Sequence, residues 1–360
     1  MTKKKSIRPA TLNDVAHEAD VSLATAARVL RGDDYPVTAQ RRERVLKAAQ
    51  KLHYVPNVLA RVLKGGSHRS IGLVVGDMSD PYFGEIAQAV SVTAQRRSLV
   101  AIVANMHRDP LLEIMMCREL WAHRVNGVIL AGGGFDQITY NDQLFELVQR
   151  LQRMNIVVVS LTERNLPVPC FSVDDEKAGR MAAAQLLENG HSEVGIIVGP
   201  ATSEVTRRRL KGSRTAFAAA GVIPKVVHTD FGDTASEDAI EELLKIEPRI
   251  TAIITSGDNV GVGVAHRLRA MGRRVPDDVS VLSIGNTYFG RLSYPKLTAI
   301  DVHRSECSAA AVNYIADTLD GQAPPLPNLA AVSWVPGQSL RHLRNQPPTA
   351  GATRRSRVAL

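Results

Sequence analysis

The sequence predicts an α/β protein of two unlike parts. A small N-terminal helix-turn-helix head with a short linking helix precedes a larger body of two parallel-sheet lobes. Three observations predict this. The first 66 residues carry short amphipathic helical stretches and no strand-like run. From Ile71 onward, short aliphatic runs alternate with amphipathic stretches, the rhythm of buried parallel strands with helices on both faces. The charge is also segregated: residues 1–66 hold 13 Lys/Arg against 6 Asp/Glu, and residues 341–360 hold five Arg and no acid, in a chain of net charge +8. The stretch between them is therefore mildly acidic.

At 360 residues the chain is too long for one ordinary domain. Aromatic residues make up only 4% of it, so the core must be mainly aliphatic. Cys117, Cys170 and Cys307 lack the spacing of a zinc site or a disulfide framework, which fits a reducing cytosol. No apolar run approaches the ~20 residues of a membrane span. "MTKKKSIRPATL" is basic without the apolar segment of a signal peptide, so the expected location is cytoplasmic. A basic end on an acidic body suggests an anionic partner for that end, set against a merely solvated basic surface.

The head begins with "TLNDVAHEADVSLATAARVLRG". Thr11 can cap a first helix, with Asp14 three residues on; Leu12, Val15, Ala16 and Ala19 form its inner side. Ser22 can cap a second helix running to about Leu30. On a helical wheel Ala26, Val29 and Leu30 face inward, whereas Leu23, Ala24, Ala27, Arg28 and Arg31 face outward. Small residues on that face allow close approach to DNA bases. Leu23 suits a thymine methyl, Arg28 suits guanine O6 and N7, and Ser22 and Thr25 can reach phosphates. The structural alternative is a surface helix of a small three-helix bundle. A third helix follows Thr38, with Val45, Leu46, Ala49 and Leu52 closing the bundle. Pro56 can then start a short helix at Asn57, which Gly65 and Gly66 end.

"TLNDVAHEADVSLATAARVL", "VTAQRRERVLKAAQKLHYVPNVLARVLKGG" and "RSIGLVVGDMSDPYFGEI" together resemble the lactose-repressor (LacI-type) family of bacterial transcription regulators. The resemblance is uninterrupted over residues 11–86 and looser to about 340. It implies a homodimer that reads a near-palindromic operator in double-stranded DNA. The linking helices would pair in the minor groove, with Leu63 as the wedge and Asn57, Ala60 and Lys64 beside it. Two departures stand out: Asp20 where the family has a turn glycine, and Ala27 where it has a serine. The latter bears on which operator is read.

In the body, "IGLVVG", "LVAIVAN", "GVILAG", "IVVVS", "VGIIVG", "TAIITS" and "VSVLSIG" read as strands. The resemblance implies a periplasmic-binding-protein-like (type I) arrangement. The expected organisation is a DNA-binding domain at 1–56, a hinge at 57–66, an effector-binding and dimerisation domain at 67–340, and a disordered basic tail at 341–360. One lobe is expected at about 67–161 plus 291–322, the other at 162–290 plus 323–340. The tail shows no leucine heptad, so a dimer is favoured over a tetramer.

Ligands of such sheets bind outside the carboxyl ends of the strands. There, Tyr82 and Phe83 offer flat apolar faces, with Phe83 packing under its helix as the alternative. Asp258 can cap the next helix, the preferred reading, or accept ligand hydroxyls. By resemblance, Arg209 is a ligand-contacting arginine and Phe231 an aromatic wall, while Arg207 and Arg208 can be mere surface. Family members generally carry an aspartate where Gly285 stands, followed here by Asn286. A cleft lacking it but holding Arg209 is expected to prefer an anionic or less hydroxylated ligand.

The predicted function is an effector-controlled, sequence-specific repressor of carbohydrate or related catabolic genes. The alternatives are a corepressor-dependent, nucleobase-type regulator and an α/β enzyme with a basic module. No G-x-S-x-G, P-loop or H-E-x-x-H supports an enzyme, and "GVGVAH" at 261–266 lacks the third glycine of a dinucleotide fingerprint. No metal or cofactor is expected beyond a small-molecule effector, a sugar, sugar acid or similar compound. No membrane partner is expected.

Overall fold

The computed structural model describes residues 8, 10–31, 36–54, 69–230 and 235–343. The chain divides into two compact units, residues 1–68 and 69–360.

The first unit contains α1 (Leu12–Glu18), α2 (Leu23–Arg31) and α3 (Ala39–Lys51). Thr11 and Asp14 form a reciprocal capping box at the start of α1. Ser22 Oγ accepts from the Thr25 amide at 3.1 Å, and Thr38 caps α3. Val15, Ala16, Ala19, Ala26, Val29, Val45 and Ala48 make the core. Leu46 was expected in that core but is 51% exposed; Ala48 occupies the inward position one helical turn before Leu52. Asp20 adopts φ 47° in the turn, the left-handed backbone that the glycine-less turn requires. Residues 55–68, which hold the predicted hinge helix, and 344–360, most of the predicted tail, lie outside the described residues.

The second unit contains two sheets. The first has strand order β2-β1-β3-β4, formed by β1 (Ser70–Val75), β2 (Val100–Asn105), β3 (Gly127–Leu130) and β4 (Val157–Ser160), all parallel. The second has the order β10-β9-β8-β7-β5-β6. Its strands are β5 (Val194–Val198), β6 (Lys225–His228), β7 (Ala252–Thr255), β8 (Ser280–Gly285), β9 (Thr298–Asp301) and β10 (Ser333–Val335). Among the strands of the described residues only β10 pairs antiparallel. Three of these strands escape the sequence reading. β6 and β10 are short and half-buried, and β9 is broken by polar residues, so none presents a long aliphatic run.

α4 (Pro81–Arg96) and α12 (Arg304–Leu319) pack together on the first sheet, with α5 (Pro110–Ala122) and α6 (Ile138–Arg153) supplying a separate apolar cluster. On the second sheet α7 (Asp175–Glu188) and α8 (Glu204–Ala219) pack closely, while α9 (Ala235–Ile246) and α10 (Asp258–Ala270) belong to the other face; α11 (Tyr288–Leu292) is a short turn after β8. One core is continuous from Phe83, Ile86 and Val90 of α4, through Val312 and Ile315 of α12, to Ala178, Leu186 and Phe217 of α7 and α8. It joins the two lobes.

The expected lobe boundary near 291 needs correction. β9 pairs with β8 in parallel register, Leu282 against Thr298 and Gly285 against Asp301, so residues as far as 301 extend the second sheet. The chain re-enters the first lobe only with α12. Strand pairing, invisible in a single short run, decides the point.

Candidate effector cleft and nucleic-acid interface

In the first unit the start of α2 is the open surface. Ser22, Leu23 and Ala24 are exposed, with Leu23 at 40%. Thr25, Ala27 and Arg28 are half-buried. The Ser22 and Thr25 hydroxyls lie 2.8 Å apart and bond to each other, so any phosphate contact must share them with the cap. Some of the basic side chains of α3 serve internal pairs: Lys51 with Glu18 at 2.6 Å, Lys47 with Glu43 at 2.8 Å and Arg44 with Asp20 at 3.5 Å. Asn57, Ala60, Leu63 and Lys64 fall outside the described residues.

In the second unit the carboxyl ends of β1, β3, β5, β7 and β8 surround a cleft of about 390 Å³. Its lining includes Tyr82, Phe83, Arg209 and Asp258, four of the six residues selected from sequence. Asp80 accepts from the Tyr82 amide at 2.9 Å, and Pro81 opens α4, which sets the two rings at the helix start. Phe83 is 7% exposed and therefore does both things foreseen for it, packing in the core and lining the cleft. Tyr82 meets it edge-on at 5.2 Å. Burial pushes the Tyr82 hydroxyl above its ordinary pKa, against the pull of Arg209 and Arg304, so it stays protonated. The Arg108 guanidinium lies 5.7 Å from the Phe83 ring centre and pairs with Asp80 at 2.8 Å.

Arg209 projects from the second turn of α8 and is buried. Its Nε donates to Asp175 at 2.8 Å and its Nη1 to the Ser256 carbonyl at 3.0 Å. Burial disfavours the guanidinium charge, and Asp175 together with Tyr82 more than offsets this, holding the pKa above its ordinary value. Two further points depart from the sequence reading. Asp258 does not cap its own helix: Gly257 is the cap residue, and the Asp258 carboxylate accepts from the Thr287 amide. Asn286 is turned out of the cleft. Its backbone is left-handed, φ 63°, and its amide donates to Asp301 at 2.6 Å, so Gly285 and Thr287 line the cleft on either side of it. Phe231 lies outside the described residues.

At the mouth of the cleft the lobes touch. The Asp136 amide donates to the Thr202 carbonyl at 2.8 Å, and Phe135 forms a bridge with Ser203. Arg207 pairs with Asp136, and Arg208 with Glu163 at 2.7 Å. Arg207 thus spans the lobes, and Arg208 ties α8 to the crossover that follows β4, at two positions that the sequence reading left as possible mere surface.

Two residues of the site escape sequence reasoning, Arg108 in the lining and Asp175 behind Arg209. Arg108 follows the carboxyl end of β2, and the rule that selected Tyr82 would have found it. Asp175 lies 34 residues from Arg209 in sequence and reads there as one acid among several at a helix start. Only helix packing joins the two.

The chain matches the family described as periplasmic binding proteins and sugar binding domain of the LacI family over residues 68–322. It matches bacterial regulatory proteins of the lacI family over residues 11–57. It is 29% identical over 325 residues to the HTH-type transcriptional repressor CytR of Escherichia coli (strain K12), covering 89% of this chain and 93% of that protein. The Lac repressor dimer bound to operator and the anti-inducer ONPF shares the fold with a TM-score of 0.81 at 23% identity, covering 93% of this chain and 100% of that one. The transcriptional regulator CelR in complex with cellobiose aligns with a TM-score of 0.64 at 27% identity, covering 92% and 99%. No helix among the described residues is long and apolar enough to cross a membrane. A helix-turn-helix head and a two-lobed ligand-binding body in one chain, matched along both parts, make this protein a member of the LacI family of DNA-binding transcriptional regulators.

Proposed function

We propose that this regulator is a homodimeric repressor released from a near-palindromic operator when a small molecule enters the cleft between its lobes. The observation that carries the reading is the cleft itself, where rings from one lobe and an arginine and a carboxylate from the other converge beyond the strand ends. In this reading α2 enters the major groove. Leu23, Ala24 and Arg28 meet base edges, and Ser22 and Thr25 meet phosphates. Residues 57–66 serve as the hinge, with Leu63 and Lys64 in the minor groove and Asn57 and Ala60 at the pairing face. Tyr82, Phe83, Arg209 and Asp258 hold the effector.

The effector acts by binding one lobe arrangement more tightly than another, and it shifts the equilibrium by that difference alone. The contacts of Asp136 with Thr202 and with Arg207 are placed to form in one arrangement and part in another. CelR is described with cellobiose bound, which supports a carbohydrate-type ligand.

The test is retention of pooled fragments of the source genome by the purified protein at several salt concentrations, with and without candidate compounds. Enrichment of a near-palindromic site, steep weakening with salt and release by one compound are expected. Retention without sequence preference, or tighter binding with every active compound, removes the induced-repressor reading.

A further inference from the structure

At the carboxyl ends of α4 and α12 four charged side chains form a network that takes no part in lining the cleft. Arg97, the C-cap residue of α4, donates to Asp317 at 2.5 Å and to Asn313 at 3.3 Å, and lies 3.5 Å from Asp320. Asp320, the C-cap residue of α12, pairs in turn with Arg69, which also donates to the Leu319 carbonyl at 3.1 Å. Two arginines meet two aspartates, so the network is neutral. Arg69 is the first residue of the second unit. Residues 55–68 join it in sequence to the helix-turn-helix head, and its side chain ties that starting point to α12.

The acids stand where α12 by itself disfavours them. A helix carries partial negative charge at its carboxyl end, and cations are what stabilise it there. α12 has no basic residue in its last turn and has Asp317 and the cap residue Asp320 instead. Their side chains are 28% and 42% exposed, and ion pairs that open to solvent contribute little to stability. The stability of α12 does not account for them; holding Arg69 and Arg97 does.

The same two helices are bound at their other ends. Arg304, the first residue of α12, pairs with Glu85 of α4 and lies 5.2 Å from the Tyr82 ring centre. Between the ends Val90 and Ala94 share one core with Val312 and Ile315. With 16 residues each, the helices are about 24 Å long. The pair is a braced rod, with Tyr82 and Phe83 of the cleft at one end and the Arg69 anchor at the other.

We propose that Arg69, Arg97, Asp317 and Asp320 form an ionic clamp that fixes the point where the body takes up the linker from the head. They are positioning residues for operator binding, not contacts to DNA. A near-palindromic operator sets the spacing of two heads, so play at the attachment point must be lost on binding, at an entropic cost. Unrelated DNA imposes no such spacing. The clamp rests in this respect on the dimeric reading given above, and it acts whichever way a small molecule shifts DNA binding.

Asp320→Ala in the full chain separates a clamp from simple charge. It removes an acid, so electrostatics alone predicts tighter DNA binding, whereas the clamp predicts weaker binding. Titrations use the fragment of the source genome that the parent retains most strongly and a scrambled fragment of the same length. A loss of about 10-fold is expected on the first and none on the second. The melting temperature should stay the same or rise, because an acid leaves the negative end of a helix. Arg69→Ala should show the same selective loss, and Arg69→Lys, which keeps a charge opposite Asp320, should recover most of it.

An Asp320→Ala protein that binds the preferred fragment as tightly as the parent, or more tightly, overturns the proposal. So does a loss from Arg69→Ala without one from Asp320→Ala, which makes Arg69 a DNA contact, and so does an equal loss on both fragments. The dimeric reading fails separately: a preferred fragment without dyad symmetry removes the paired heads, while a selective loss from Asp320→Ala on that fragment still upholds the clamp.

Discussion

Gly179 of α7 lies directly against the backbone of Arg209 in α8: a Cβ on Gly179 would land on the Arg209 carbonyl oxygen, far inside van der Waals contact. Gly212 makes the reciprocal approach to the Glu176 carbonyl. Two helices meeting backbone to backbone bring Asp175 and Arg209, one from each, within 2.8 Å. Gly179→Ala must push the helices apart, because the obstacle is backbone. Overpacking of this kind costs about 1–3 kcal/mol. In thermal denaturation the melting temperature should fall by several degrees. In titration, effector binding should weaken more than stability alone explains, because the Arg209 pair is displaced with the helix. A variant with parental stability and binding would show that the close approach is dispensable.

Glu113 is fully buried in α5 and pairs with Arg164 at 2.7 Å, while the Tyr140 hydroxyl donates to its second oxygen. Arg164 also donates to Thr162 Oγ1 at 3.1 Å and to the carbonyl of Gly132, beside the cleft lining. Glu113→Gln removes the charge that neutralises a buried guanidinium. Breaking such a pair from one side costs about 3–5 kcal/mol. Tyr140→Phe leaves the charge pair in place and removes the hydroxyl's donation to Glu113 together with a long 3.5 Å bond from Arg164; it should cost about 1–3 kcal/mol, because a carboxylate oxygen loses its donor. Denaturant melts of the two variants should keep this order, and a reversal would place the stability elsewhere.

His191 is buried between Thr251 Oγ1 and the Arg341 carbonyl, each 3.0 Å from a ring nitrogen. Burial holds its pKa below the ordinary 6.5, only partly offset by the Arg341 carbonyl. The unfolded chain therefore takes up a proton at higher pH than the folded one does. The stability contribution is complete above pH 6.5 and declines as pH falls through 6.5 toward the lower folded value. Melting temperatures of the parent should drop over that interval, and His191→Gln should flatten the drop. Equal slopes in the two proteins would assign the acid sensitivity to other groups.

In the head, stability and recognition should separate. Thr11→Ala breaks the capping box of α1 and should cost about 1 kcal/mol of head stability, weakening binding to all DNA alike. Arg28→Ala, on α2, should cost about 1–3 kcal/mol on the preferred operator and relax the preference at one base position. Binding curves on an operator and on its single-base variants check both. A uniform loss from Arg28→Ala would make that residue a phosphate contact.

Much of the head was legible because its determinants are local. Thr11, Ser22 and Thr38 cap helices within three residues of themselves, and Ala26 and Val29 fall on one face by helical period alone. The misplacement of Leu46 shows the limit: period offers two neighbouring faces, and only the packed partner selects Ala48. In the body the aliphatic strands were legible, whereas β6, β9 and β10 were not. An edge or polar strand owes its existence to the ladder it joins.

The sequence by itself determined the two-part plan, the short helices of the head and the aliphatic strands whose ends frame the cleft, and it carried the family by resemblance. The plan and the elements rest on capping, periodicity and composition, which act between near neighbours, whereas the family rests on matched motifs. The tertiary structure alone decided that β9 extends the second sheet, that Arg207 spans the lobes, and that Asn286 turns from the cleft toward Asp301. It alone neutralised Arg209 with Asp175 and set the Asp258 carboxylate beside Gly285. Each of these joins residues distant in sequence, and the charge of a buried group is defined only by the partners that packing brings to it.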